Sequence, residues 1–317
     1  METSPPRPAD SPPVPVSRPW TLPSWLLPSL APDARFARAY EALGAERRAL
    51  LKGLIADHFA LSPPAAALRT RCTREQVSGL SCRSVSTPRP FVLLLTDASL
   101  DAPALLLAAL MPALSSGAAD VLVLRLGARS GLPDVLLTAC ELAGQERVAA
   151  VSPALAARLL LDCAGSGQPG LVLYPDTPSL RRLVQRPGLR AALDASDLRL
   201  LPLKPPRALG LWRDAAGQFE PGRLGLLYGE HGFATGGVQP GRRSRKAPDD
   251  TAFAAFAVQP HDLLLVPDAR CNTCQTAARL VVGESRLGLW TWPELSAPDV
   301  FVVTCQTFSS VTAPALL

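Results

Sequence analysis

Several things are scarce in this 317-residue chain. Aromatics make up 5% of it, there are 3 histidines and 2 methionines, and of 32 basic residues only Lys52, Lys204 and Lys246 are lysine. So few histidines leave little room for a His-rich metal centre. The basic excess, a net +5, is an arginine bias with no zinc-finger spacing, aromatic RNA-binding motif or basic heptad beside it, so no nucleic-acid partner is expected. The one dense basic cluster, Arg242, Arg243, Arg245 and Lys246, is followed by Asp249 and Asp250 and reads as a solvated loop. The longest apolar run, residues 102 to 114, contains Pro103 and Pro112. It falls short of the ~20 residues that a bilayer span needs. Also missing are the G-x-G-x-x-G fingerprint, the phosphate-loop motif and the nucleophile-elbow pentapeptide.

The cysteines number seven, an odd count, and the first residues, with Glu2 and a proline run, do not read as a secretory signal. Reduced thiols and a cytoplasmic setting are the expectation. Proline is abundant. Of 33 prolines, ten fall within residues 1 to 32, which read as a disordered tail whose Trp20, Trp25, Leu26 and Leu27 are candidate attachment points.

Apolar residues at helical spacing (Phe36, Tyr40, Leu43, then Leu50, Leu51, Leu54, Ile55 and Phe59) predict a helical N-terminal segment within residues 33 to 90, with His58 on the helix surface. Residues 65 to 90 have no clear period. From Phe91 the pattern changes to short apolar runs, at 91–96, 121–126, 148–151 and 171–174, separated by helix-length segments. That alternation predicts an α/β fold with a doubly wound, mainly parallel, Rossmann-like sheet over residues 91 to 220. A second, smaller α/β region, 221 to 317, is expected to hold a strand at 262–266, a Cys-x-x-Cys turn and a terminal strand at 300–304. Thr96, Asp97 and Ser99 end the first strand, where doubly wound sheets bind ligands, and are the candidate cofactor-binding residues.

Cys271-Asn272-Thr273-Cys274 follows a predicted strand and precedes a stretch read as a helix. A sulfur at such a helix N-terminus becomes a better thiolate. The pair reads as two half-buried turn residues or, functionally, as a redox dithiol, a nucleophile with a bystander or half a metal site. His231, flanked by Glu230 in a glycine-rich stretch, is the second catalytic candidate.

Leu107-Ala108-Ala109-Leu110-Met111-Pro112-Ala113, leading through Gly117 into Val121-Leu122-Val123-Leu124, resembles a segment of histidinol dehydrogenase. So does Pro133-Asp134-Val135-Leu136-Leu137 with Cys140-Glu141-Leu142-Ala143-Gly144. Gln259-Pro260-His261-Asp262 and the strand to Asp268 resemble the family's Gly-Pro-Ser-Glu stretch, with His261 and Asp262 in place of serine and glutamate. The family's zinc-binding Gln-x-x-His motif has no counterpart, and no metal is expected. Asn272-Thr273-Cys274 before Leu280-Val281-Val282 resembles the nucleophilic-cysteine segment of aldehyde dehydrogenases, which share that architecture. The resemblance implies a shortened, divergent NAD(P)-linked oxidoreductase, with NAD or NADP as cofactor, Cys274 attacking an aldehyde as small-molecule substrate, and self-association left open. A non-catalytic binding or assembly protein on the same fold and a thiol redox or metal-binding protein are the rival readings.

Overall fold

The computed structural model describes residues 20–62, 69–74, 80–127, 131–213, 219–229, 232–237, 250–272 and 274–310. The basic cluster at 242–246 lies outside them.

Far from being tail, residues 20–32 pack on the body, which corrects the sequence expectation for this stretch. Trp20 stacks on Phe91 at 4.7 Å between ring centroids, Leu26 is fully buried within a 3-10 helix (Ser24–Ser29), and Trp25 stacks against Arg158. Leu27 is exposed. Two helices follow, α1 (Asp33–Ala42) and α2 (Ala45–Leu61). Leu51, Leu54 and His58 form the buried stripe of α2, so His58 is a core residue at 3% exposure, not a surface one.

The expected helical segment ends there. Residues 69–74 and 80–88 form the antiparallel strands β1 (Arg69–Arg74) and β2 (Leu80–Pro88). Serine, threonine and arginine at successive β2 positions gave no apolar period. Backbone pairing on both edges holds this strand, and it buries no apolar face.

The expected strand and helix alternation then unfolds in chain order: β3 (Phe91–Thr96), α3 (Pro103–Ser115), β4 (Asp120–Leu126), α4 (Asp134–Leu142), β5 (Val148–Val151), α5 (Pro153–Gly165) and β6 (Leu171–Pro175). α6 (Pro178–Val184), α7 (Pro187–Asp194) and β7 (Arg199–Leu203) complete a five-stranded, all-parallel sheet of order β5-β4-β3-β6-β7. Many of the prolines work as helix starters. One occupies the first turn of α3, α5, α6 and α7, where a missing N–H costs nothing.

The chain changes sheet at residues 204–208. β8 (Leu209–Arg213), α8 (Pro221–Tyr228), β9 (Phe233–Gly237), α9 (Asp250–Ala257), β10 (Leu263–Val266), the short α10 (Asp268–Cys271) and β11 (Leu280–Gly283) build a four-stranded parallel sheet of order β11-β10-β8-β9. β8 therefore belongs to the second sheet, ahead of the expected boundary at 220. The terminal strand, β12 (Val302–Ser310), is a further correction: it pairs antiparallel with β2 and joins neither parallel sheet.

Alternation along the strands decides the layers. Val92 and Leu94, Val121 and Val123, and Leu171 and Leu173 face a central layer that contains α1 to α4 and α8, while Leu93, Leu95, Leu122 and Val172 face α5 to α7. Leu209, Leu211, Leu263 and Leu265 of the smaller sheet turn into the same central layer, so the two sheets share one core. Leu264, Val266 and Trp212 point the other way, toward α9. Being between two sheets, α3 is apolar on all sides, as a buried helix must be. No helix of the described residues is long and apolar enough to cross a membrane.

Candidate functional site

In the larger sheet the chain leaves β3 through α3 toward the central layer, whereas it leaves β6 through α6 and α7 toward the opposite face. Neighbouring strands whose exits diverge open a crevice beyond their carboxyl ends. β3 and β6 are hydrogen-bonded neighbours, so the crevice opens where Asp97 follows β3 and Thr177 follows β6.

Asp97 is the hub of this place. Its Oδ1 accepts from the Ser99 amide at 3.0 Å and from the Ser99 hydroxyl, and its Oδ2 accepts from Thr177 Oγ1 at 2.6 Å and from the Ser179 hydroxyl. Burial by itself would raise this carboxyl. The hydrogen bonds from Ser179, Ser99 and Thr177 outweigh it and hold Asp97 below its ordinary value. Behind it lies Arg125, buried on β4, whose Nη1 donates to Leu100 O at 2.9 Å and whose charge is favoured by Asp97 and Asp101 against the cost of burial. The carboxylate oxygens are thus saturated by hydroxyl and amide donors.

The crevice itself has a volume of about 720 Å³ and is lined by Asp97, Gly127, Ser179, Arg182 and Arg186 among others. That is ample for a nucleotide-sized ligand. Of the residues expected there, Asp97 lines the crevice, Ser99 braces it, and Thr96 does neither: its hydroxyl turns back to Leu124 O within the sheet. Thr177, Ser179, Arg182 and Arg186 were missed. The signal for them was Asp176-Thr177-Pro178-Ser179, a helix-capping sequence directly after a buried strand, since Thr177 caps α6.

A second cleft of about 560 Å³ lies on the other side of the β3 loop, lined by Arg47, Asp101, Asp134 and Gly229. Gly229 sits at φ 65°, and a Cβ there would lie 2.5 Å from Asp101 Oδ1. The expected catalytic His231 and its neighbour Glu230 lie outside the described residues.

Cys274 is not brought to the crevice. Cys271 and Cys274 pack with Trp212, Phe253 and Val266 on the face of the smaller sheet turned away from the shared core. Nor does a helix begin at Cys274. Cys271 is the last residue of the four-residue α10, where the helix dipole disfavours a thiolate, and residues 274–278 are irregular. Burial first, then Asp268, pushes the Cys271 thiol up; burial also pushes Cys274 up, against the opposing pull of Thr276 and Arg270. The reactive-thiolate expectation is corrected accordingly. Both thiols are expected to alkylate at pH 7 more slowly than a free cysteine, measured as the pH dependence of iodoacetamide labelling; a Cys274 rate above that of the free amino acid would restore the nucleophile. His261 is buried against Gly210, its Nε2 3.2 Å from Phe256 O, and serves the packing of the smaller sheet. Among the described residues no group of three or more His, Cys, Asp or Glu could hold a metal ion.

No protein-family model matches the chain, and no curated protein matches it by sequence. Solved structures do match. The structure of histidinol dehydrogenase from Elizabethkingia anophelis superposes with a TM-score of 0.51 at 11% identity, covering 89% of this chain and 76% of that one. The chain has the histidinol dehydrogenase fold. At that identity the likeness is one of fold, and the relationship is distant. Succinate-semialdehyde dehydrogenase from Burkholderia pseudomallei reaches a TM-score of 0.33 at 17% identity over 57% of this chain and 45% of its own. Lactaldehyde dehydrogenase from Escherichia coli reaches 0.35 at 10% identity over 56% and 39%. This chain thus spans less than half of either aldehyde dehydrogenase.

Proposed function

We propose that this protein binds a nicotinamide dinucleotide in the crevice beyond β3 and β6. The observation that carries the reading is the hydrogen-bond-saturated Asp97 hub at the point where the strand exits diverge, with Arg182 and Arg186 on the crevice wall. A cofactor with several phosphate oxygens fits a wall that presents guanidinium groups. The missing glycine fingerprint agrees with this layout. Phosphates can be met by side chains, and Gly127 leaves the end of β4 open beside them.

When bound, such a cofactor supplies hydride transfer. The residues of this chain bind and orient: Asp97 keeps the loops after β3 and β6 at a set distance through Ser99, Thr177 and Ser179, and Arg182 and Arg186 meet the anion. Cys274, on the far face of the smaller sheet with its thiol pushed up, is not part of this arrangement. That separation favours a dinucleotide-binding descendant of the dehydrogenase fold over an aldehyde-oxidising thiol enzyme.

Calorimetric titration of the purified chain with NAD+ and NADP+ tests the reading. Saturable binding of at least one, with Kd below about 1 mM, is expected, the upper range in which enzymes hold their small ligands. Heats that stay linear through millimolar concentrations for both would remove it.

A further inference from the structure

The arginines of α6 and α7 fall into two groups. Arg181 is tied to Asp176 at 2.8 Å, and Arg190 to Asp194 at 2.5 Å, within the helix. Arg182 and Arg186 line the crevice, and neither has an ion-pair partner among the described residues; Arg182 donates only its Nε, to Pro178 O at 3.0 Å. All four are exposed; two are neutralised locally, and the two that line the crevice have no ion-pair partner among the described residues. Asp97 forms no ion pair with either of them among the described residues. Its oxygens accept instead from three hydroxyls and an amide.

A pair of planar, always-charged guanidinium groups four residues apart suits a dianionic phosphate monoester better than the singly charged oxygens of a phosphodiester linkage. NAD and NADP differ by one such monoester. Resting on the dinucleotide reading above, we propose that Arg182 and Arg186 make this crevice selective for the phosphorylated dinucleotide, NADP in preference to NAD.

The full chain, titrated in parallel with NAD+, NADP+ and inorganic phosphate, provides the test. NADP+ is expected to bind at least tenfold more tightly than NAD+, and the gap to shrink as salt is raised. Arg182→Ala and Arg186→Ala should each weaken NADP+ about tenfold, the effect of losing one hydrogen bond to a charged group, and weaken NAD+, whose pyrophosphate meets the same wall, by a smaller factor, so that the gap between the two narrows. Arg181→Ala and Arg190→Ala, on the same helices with their charges already paired, should change neither. Because Arg182 and Arg186 are exposed, their variants should melt with the parent, checked by circular dichroism.

Equal binding of the two dinucleotides, or NADP+ binding that both crevice variants leave unchanged, would overturn the selectivity and leave the dinucleotide reading standing. Inorganic phosphate binding as tightly as NADP+ would overturn it as well, marking a bare anion site. If neither dinucleotide saturates, the crevice reading itself fails and the selectivity with it.

Discussion

Asp97→Ala is expected to lower the unfolding free energy by about 3 kcal/mol, the scale of losing hydrogen bonds to a charged group. Asp97 is 7% exposed and Arg125 5%. Without the carboxylate, Arg125 keeps its hydrogen bond to Leu100 O and loses one of the two nearby negative charges that favour its ionised form, Asp101 remaining. The hydroxyls of Thr177 and Ser179 lose their acceptor in the same step, and with it the link between the loops after β3 and β6. Asp97→Asn retains one oxygen acceptor but no charge and should fall between the parent and the alanine variant. Urea denaturation of the three proteins measures the order. If Asp97→Ala were as stable as the parent, Asp97 would be a bystander, and the hub would not organise the crevice. The carboxyl is held below its ordinary value of 3.8, so the stability it contributes is complete above that pH and is lost as pH falls through the lower folded value.

A second acid effect sets in at higher pH and comes from His58. Burial lowers its pKa from 6.5 to about 4, and its Nε2 has no hydrogen-bond partner among the described residues. The unfolded chain takes up a proton at His58 as pH drops through 6.5, whereas the folded chain resists until about 4. Stability is therefore full above pH 6.5, declines between 6.5 and 4, and loses nothing more at this residue below that. At 1.36 kcal/mol per pH unit the decline amounts to about 3 kcal/mol. His58→Leu, which fills much of the same volume with no group to protonate, should flatten this limb while matching or exceeding the parent at pH 7. Melting temperatures at half-unit pH steps would show it. An unchanged acid limb in His58→Leu would place the titrating group elsewhere. Because the two windows do not overlap, His58 and Asp97 can be separated in one set of curves.

Much of the larger sheet was legible in the sequence because parallel strands covered on both faces must be apolar throughout. Phe91-Val92-Leu93-Leu94-Leu95 and Leu171-Val172-Leu173-Tyr174 carry that signature, and prolines at 103, 153 and 178 mark the helix starts that come after such strands. β2 and β8 were not legible, for different reasons. β2 is held by partners on both edges and buries no apolar face, while Leu209-Gly210-Leu211-Trp212 is short and has Pro205 and Pro206 just before it. His58 shows the limit of helical periodicity: the stripe through Leu51 and Leu54 extends to it, but a histidine on an apolar stripe reads as polar until the packing against it is known.

The candidate site was half legible. Asp97 and Ser99 stand at the end of a recognisable strand, the place where doubly wound sheets bind ligands. Thr177, Ser179, Arg182 and Arg186 lie about 80 residues away, and only the β3–β6 pairing brings them in. Cys274 went wrong for the converse reason. The Cys-x-x-Cys spacing is local and visible, but whether a thiolate forms depends on a helix beginning beside it and on which face of the smaller sheet it occupies. The sequence alone determined that this chain folds as a mainly parallel α/β protein, because the apolar rhythm that dictates it runs through residues close together along the chain. Which charges share a crevice with Asp97 was decided by tertiary structure, because Asp97 and the segment bearing Ser179, Arg182 and Arg186 meet only through the β3–β6 pairing.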